Sequence, residues 1–217
     1  MPSRNVLKID VPQSYYHIYA RGISKSKIFL DADDYAAFLN LFRRYLSHEQ
    51  QHDRLGVPYP HLFSKVELLC FCLMSNHFHL LIYQEESGAM QQLMRGIMTS
   101  YSRYFNKKYD RSGPLFETRY KASLIHNQKY LEHITRYIHL NPKEWRNCKY
   151  SSLPFYLGLQ EAEWLVPDKI LCLFKDRSEY LAFVEDYEDN KRMLDLMKQE
   201  LADDTITYNN FFRGTSS

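Results

Sequence analysis

The stretch VELLCFCLMSNHFHLLIY, residues 66–83, decides the fold because it contains two strands and the turn that joins them. Its first part, residues 66–73, is an almost continuous apolar run that is typical of a buried strand. Residues 74–76 turn the chain, and the following segment returns with β-forming side chains. The sequence therefore predicts an antiparallel hairpin with His77 and His79 at the start of its second strand.

Strand and helix patterns alternate on both sides of this hairpin. They are a strand at 15–20, an amphipathic helix that starts at 31–34 and reaches Leu46, a helix at about 89–108, a strand at 120–125, and a helix that is capped by Asn127 and ends before Pro142. The order β-α-β-β-α-β-α is typical of the split βαβ, ferredoxin-like arrangement in the α+β class. We expect an antiparallel sheet with helices on one face.

The composition changes near residue 150, although the net charge of the whole chain is only +2. Residues 101–149 carry 11 basic and 4 acidic side chains, and residues 150–217 carry 7 basic and 13 acidic ones. We expect a main domain at 1–150 and an acidic, helical C-terminal extension at 151–217, with helices near 178–188 and 191–201. The basic segment favours a nucleic-acid partner, and the alternative is an ordinary solvated helix face.

The sequence predicts a cytoplasmic protein with reduced thiols. It has no apolar run like a signal peptide at its start and none long enough to cross a bilayer. Its four cysteines are too few for a disulfide scaffold. Cys70 and Cys72 alternate on the apolar strand, and we interpret them as buried packing residues because no partner CxxC motif completes a zinc site.

Two pairs of polar residues indicate chemistry. Side chains two apart on a strand share a face, so His77 and His79 project together, and Tyr137 and Asn141 share a face one helical turn apart. If that helix lies over that strand, two imidazoles, an amide oxygen and a phenol converge on a metal site beside a tyrosine. The alternatives are that His77 and His79 are a structural pair and that Tyr137 is a core residue. Tyr130 is the rival candidate for the nucleophile.

A tyrosine beside a divalent cation can attack a phosphodiester. A phenol has a pKa near ~10 and is a poor nucleophile until its target is polarised or its phenolate is stabilised. A cation on a phosphate oxygen does both, and the product is a 5′-phosphotyrosine with a free 3′-hydroxyl. This bond conserves the phosphodiester energy, so the strand can be rejoined without a nucleotide cofactor. Consistent with this, the chain has no Gly-rich phosphate loop of the P-loop kind.

Four separated motifs occur in an order typical of a known family. They are Tyr16-His17-Ile18 with Arg21-Gly22, Asn76-His77-Phe78-His79-Leu80-Leu81, Gly113-Pro114-Leu115-Phe116 with Arg119-Tyr120-Lys121, and Tyr137-Ile138-His139-Leu140-Asn141-Pro142. Together they resemble HUH single-tyrosine transposases of the IS200-like superfamily, most closely the REP-associated tyrosine transposases. The resemblance extends from about Tyr15 to Ser152.

The resemblance implies specific roles for residues of the segment 1–150, which would be the catalytic domain of a transposase or endonuclease. His77 and His79 would bind Mg²⁺ or Mn²⁺, Asn141 would complete the metal site, and Tyr137 would be the nucleophile. The implied substrate is single-stranded DNA that is often folded into hairpins. The implied location is the cytoplasm, in association with the nucleoid, and a homodimer is left open.

Basic side chains near the end of the second helix and on the following strand are candidates for phosphate contacts, which would make DNA affinity depend on salt. They are Arg103, Lys107, Lys108, Arg111, Arg119 and Lys121. Aromatic residues between them could stack on unpaired bases.

Two other functions remain open at this point. A non-catalytic module that binds single-stranded nucleic acid could use the same sheet topology, but it would need exposed aromatic residues on the central strands. A zinc hydrolase could use His77 and His79 with a water nucleophile, but it would normally need another histidine or an acidic ligand.

Overall fold

A computed structural model describes residues 9–186 of the chain, and its centre is one antiparallel sheet. The strands pair in the order β2-β3-β1-β4. Their bounds are Ser14–Arg21 for β1, Val66–Met74 for β2, His77–Gln84 for β3 and Lys121–Ile125 for β4. The hairpin of β2 and β3 is confirmed, and His77 is the first residue of its second strand. This strand order confirms the ferredoxin-like prediction.

Helices connect and flank these strands, and side chains cap three of them. The bounds are Ala32–Leu46 for α1, Ala89–Lys108 for α2, Gln128–Leu140 for α3, Leu153–Tyr156 for α4, Asp168–Leu171 for α5 and Arg177–Glu185 for α6, with 3₁₀ turns at Ile23–Lys25 and Trp145–Asn147. The carboxylate of Asp31 accepts a hydrogen bond from the Asp34 amide at the start of α1. Asn127 caps α3 in the same way, as its sequence predicts.

Helices cover both faces of the sheet, which corrects the prediction of helices on one face. The helices α1 and α2 pack over the face that carries Phe71 and Phe78. The helix α3 packs over the opposite face, which carries Leu69, Cys70 and Leu81. The physical reason lies in β2, because its apolar run presents hydrophobic side chains to both faces and each face must be removed from water.

The described part of the C-terminal extension packs mainly beside α3 on this second face, whereas Trp164 and Leu165 pack on the first face. The Ser152 hydroxyl accepts a hydrogen bond from the Phe71 amide at 2.9 Å, and the Tyr156 hydroxyl donates to the Leu69 carbonyl at 2.9 Å. The helix predicted near 178–188 is present as α6, whereas the one at 191–201 lies outside the described residues. The division of the chain at residue 150 stays a prediction. Across residues 9–186, the structure has no helix long and apolar enough to cross a bilayer.

His139 fastens this extension to the sheet. Its ring is fully buried, and it forms hydrogen bonds through its Nδ1 with the Tyr180 hydroxyl at 2.8 Å and through its Nε2 with the Ser152 hydroxyl at 2.7 Å. The Cys70 sulfur lies 3.3 Å from the same Nε2. Burial lowers the pKa of His139 to about 3. The residue is therefore a neutral structural histidine, which agrees with its omission from the predicted site.

We predict that His139 makes the protein sensitive to acid. The unfolded chain binds a proton at this histidine near pH 6.5, but the folded chain does so only near pH 3. The free energy of unfolding should therefore fall as the pH drops through this window, by up to about 1.4 kcal/mol per pH unit. Urea unfolding at a series of pH values should give a shallower pH dependence for His139→Gln than for the wild type. Parallel profiles would contradict the assignment.

Candidate active site

The two histidines of β3 project together from the sheet face that α3 covers. Their ring centroids lie 5.2 Å apart, and the rings are nearly perpendicular. His79 is buried, and His77 is half-buried. Burial lowers the pKa of both imidazoles, and at His77 a hydrogen bond to Asn141 opposes that shift. Both rings are therefore neutral near pH 7, the form that binds a metal ion.

Tyr137 reaches this site from α3. Its ring centroid lies 5.3 Å from that of His79, with the two rings edge to face at 84°. The side chain is 9% exposed, and burial raises the pKa of its phenol while Asn141 opposes the increase. Tyr130, the rival nucleophile, lies two helical turns earlier, about 10 Å along the axis of α3. The predicted approach of helix and strand therefore brings Tyr137 to the histidines.

Asn141 also reaches the site, although it precedes a proline. Its backbone keeps a right-handed helical conformation with φ −61° and ψ −42°, and its amide donates to the Ile138 carbonyl at 3.4 Å in a tightened last turn. This differs from the usual preference of a residue before proline for extended backbone. The conformation holds the Asn141 Oδ1 at 3.2 Å from the His77 Nε2.

The donor set around His77 fits a cation. The Asn76 Nδ2 donates to the Lys25 carbonyl, which turns the Asn76 Oδ1 towards the His77 Nδ1 at 2.6 Å. A neutral His77 ring carries one proton, so only one of its two contacts, with the Asn76 Oδ1 or with the Asn141 Oδ1, is a hydrogen bond, and the other brings two acceptors together. Two acceptors that face each other in this way are an arrangement that a bound cation stabilises.

His17 is a member of the site that the sequence did not identify as one. Its Nε2 lies 2.9 Å from the His79 Nδ1, and the two rings stack at 14° with their centroids 5.1 Å apart. The ring is fully buried, burial lowers its pKa to about 3, and its Nδ1 has no hydrogen-bond partner among the described residues. The sequence signals were the alternation of β1 and the motif that contains His17, but the register that sets β1 beside β3 is known only from the structure.

The six basic side chains proposed for DNA do not form one cluster with the histidines. Lys121 lies on the face of the site, with its ammonium 5.7 Å from the centre of the Tyr19 ring. The Lys108 ammonium binds Asp31 at 2.7 Å and Asp34 at 2.9 Å, so its charge serves the contact between α1 and α2. The others lie on α2 or in the segment that follows it and are exposed: Arg103, Lys107, Arg111 and Arg119.

The zinc hydrolase alternative is not supported by the part of the chain that the structure describes. Within residues 9–186, no group of three or more His, Cys, Asp or Glu side chains is arranged to hold a metal ion. Cys70 and Cys72 are buried, unbridged thiols, as predicted. The histidine pair has an amide oxygen and a phenol as neighbours, and the further imidazole beside it, that of His17, directs its Nε2 to the His79 Nδ1.

Part of the chain matches a known protein family, and its fold matches a solved structure. Residues 62–141, which include both histidines, Tyr137 and Asn141, match a family model described as IS200-like transposase. No curated protein matches the chain. A solved structure of a REP-associated tyrosine transposase bound to a REP hairpin matches the fold with a TM-score of 0.51 at 13% identity, and the match covers 76% of this chain and 91% of that one. The predicted resemblance to IS200-like transposases is therefore supported over residues 62–141, and the fold class is confirmed.

Proposed function

We propose that this chain, which carries the IS200-like transposase sequence at residues 62–141, cleaves and rejoins single-stranded DNA that bears hairpins. The proposed intermediate is a covalent bond between Tyr137 and a 5′-phosphate. One observation carries the proposal, namely that the Tyr137 ring lies 5.3 Å from that of His79 while Asn141 contacts His77.

The chain would hold Mg²⁺ or Mn²⁺ through the His77 Nε2, the His79 ring and the Asn141 Oδ1. When bound, such an ion supplies positive charge to a phosphate oxygen and lowers the cost of charge that develops during attack. Neutral imidazoles and an amide oxygen leave the positive charge of the ion uncompensated, which favours an anionic phosphate as a further ligand. The identity of the ion follows the family resemblance, because imidazole alone would also suit zinc.

Tyr137 supplies the nucleophile. Its phenolic oxygen forms a bond to phosphorus, and the bond from phosphorus to the 3′-oxygen breaks in line with it. The phenol loses one proton and the departing 3′-oxygen gains one, so one ester replaces another. Reversal needs only a 3′-hydroxyl that attacks the phosphotyrosine. Burial raises the pKa of Tyr137, so the residue is a neutral phenol before DNA binds.

A DNA partner is supported by charge. Lys121 lies on the same face of the sheet as His77 and His79, opposite Tyr19 in the strand register. Guanidinium and ammonium groups contact phosphates without regard to base sequence. The structural neighbour was solved with a DNA hairpin, which supports the same substrate class here. We therefore propose a location in the cytoplasm at the nucleoid, where such DNA occurs.

We predict that His17 is a positioning residue for His79. If His79 binds the ion through its Nε2, its Nδ1 carries the proton and donates to the His17 Nε2. His17→Phe retains the ring volume but removes this acceptor, so Mn²⁺ affinity should fall about 10-fold to 100-fold. His17→Gln offers an amide carbonyl oxygen to the same proton and should therefore restore part of the lost Mn²⁺ affinity. Titration of Mn²⁺ by electron paramagnetic resonance tests this, and unchanged affinity in the phenylalanine variant would refute the role.

Incubation with DNA separates the proposed function from its rivals. Wild-type protein is mixed with Mn²⁺ and a labelled oligonucleotide that contains a hairpin with single-stranded flanks, and the products are run on a denaturing gel. We expect label that migrates with the protein and is released by protease. Cleaved DNA without protein-linked label would indicate hydrolysis by water, and binding without cleavage would indicate a passive module. Either result would refute the proposal.

A further inference from the structure

A groove lies beside α2, on the side of the sheet opposite the histidines. One wall is the exposed side of α2, and the other is the segment 114–120, which runs towards β4. We call it the α2 groove. Its volume of about 1610 Å³ exceeds the roughly 300–1,000 Å³ of a small-molecule site, which favours a polymer as its ligand.

Three arginine side chains give the α2 groove a positive charge. Arg95, Arg103 and Arg119 line it and are exposed, and none of their guanidinium groups forms an ion pair or a hydrogen bond with another described residue. The two acidic residues of the lining are both neutralised. Lys65 binds Glu86 at 3.0 Å, and Arg21 binds Glu117 at 3.0 Å. The unpaired charge in the groove is therefore cationic and suits an anionic ligand.

The spacing of these charges suits a nucleic-acid strand. Arg95 and Arg103 are eight residues apart on α2, so their Cα atoms differ by about 12 Å along the helix axis. That distance corresponds to three or four phosphates of a stacked strand at about 3.4 Å each. Between the arginines the lining combines amides with the partly exposed side chain of Met98, which can pack against an unpaired base.

The wall of the α2 groove is joined to the active site. The Glu117 amide donates to the Arg21 carbonyl at 2.9 Å, and the Glu117 carboxylate accepts from the Arg21 guanidinium. Arg21 in turn lies opposite His77 in the pairing of β1 with β3. A DNA strand that leaves the histidine site and passes over the ion pair of Arg21 and Glu117 therefore reaches the α2 groove along the protein surface.

We propose that the α2 groove binds the single-stranded DNA that flanks the cleaved position, through phosphates and without regard to sequence. This proposal rests on the proposed function, since it assumes that DNA is the substrate of the adjacent site. It adds Arg95 to the contacts, a residue on the helix that covers the other face of the sheet. Binding of the flank in the α2 groove increases the affinity for DNA, and strand cleavage takes place at Tyr137.

The test compares two labelled DNA hairpins by fluorescence anisotropy with the full-length protein, one hairpin with a single-stranded flank and one without. Arg95→Glu should weaken binding of the flanked hairpin about tenfold at low salt, and Arg95→Ala should make the slope of log affinity against log salt shallower by about one unit. Neither should change affinity for the unflanked hairpin. The matched control is Arg54→Glu, at an exposed arginine in the loop after α1, which should change neither value.

Two results would overturn the proposal. One is unchanged affinity of Arg95→Glu for the flanked hairpin, and the other is an equal loss with both hairpins. Thermal melting of each variant checks that the exposed substitution leaves the fold intact. Failure of the proposed function is separately visible, because wild-type protein would then form no covalent link with either DNA whatever the anisotropy values.

Discussion

Replacement of Tyr137 by phenylalanine is expected to abolish the covalent link between protein and DNA, with a loss of at least about 10³-fold in the rate of strand cleavage. The substitution removes only the attacking oxygen. The ring keeps its edge-to-face contact with His79 and its buried position, so the fold should persist. The measurement is the amount of protein-linked label on a denaturing gel over time, with Mn²⁺ and a labelled DNA hairpin with single-stranded flanks.

Tyr130→Phe is the matched control for this variant. Tyr130 is on the same helix and shares much of the same face, but it lies two turns from Tyr137. Its replacement should leave the rate of linkage within about twofold of the wild type, since its phenol does not reach the histidines. If the covalent link survived in Tyr137→Phe but disappeared in Tyr130→Phe, Tyr130 would be the nucleophile and the proposed geometry of the site would be wrong.

Replacement of His79 by alanine is expected to lower the rate of metal-dependent cleavage by about 10²-fold to 10⁴-fold while DNA affinity changes little. The imidazole is one of the proposed ligands of the ion, and His17 and Tyr137 both pack against it. Its loss removes a ligand and loosens the other two rings. Single-turnover cleavage should be measured over a range of Mn²⁺ concentrations, with binding followed separately by anisotropy.

His48→Ala is the control for the histidine variant. His48 is exposed in the loop after α1, where its ring packs on Phe63. We expect its replacement to leave both the rate and its dependence on Mn²⁺ unchanged. If His79→Ala cleaved DNA at the wild-type rate with the same dependence on Mn²⁺, the proposed metal site would be wrong even if Tyr137 were the nucleophile.

Much of the fold could be predicted because the local signals were unambiguous. The polar turn at 74–76 separates two apolar runs, and Asp31 and Asn127 are side chains that cap helices. The bounds of α2 agree with the predicted 89–108, because Gly88 precedes this helix and the Asp110 region ends it. Two periodicities, of a strand and of a helix, placed His77 with His79 and Tyr137 with Asn141 on shared faces, but their meeting remained conditional on a helix that lies over the strand.

The rest depended on long-range pairing that one sequence does not encode locally. The contact of His17 with His79 requires the register between β1 and β3. The helix α3 lies on the second face because β2 is apolar on both faces. The sequence shows this apolar run, but it does not indicate which helix covers the second face. Lys108 illustrates a third cause, because its partners Asp31 and Asp34 are more than 70 residues away along the chain.

Peptide mapping of the protein–DNA adduct by mass spectrometry tests the central claim most directly. Wild-type protein is trapped with the flanked hairpin and Mn²⁺, digested with nuclease and protease, and searched for peptides that carry a nucleotide. The account predicts one modified peptide, with a 5′-nucleotide on the phenolic oxygen of Tyr137. A nucleotide on any other side chain, or cleaved DNA with no modified peptide at all, would contradict it.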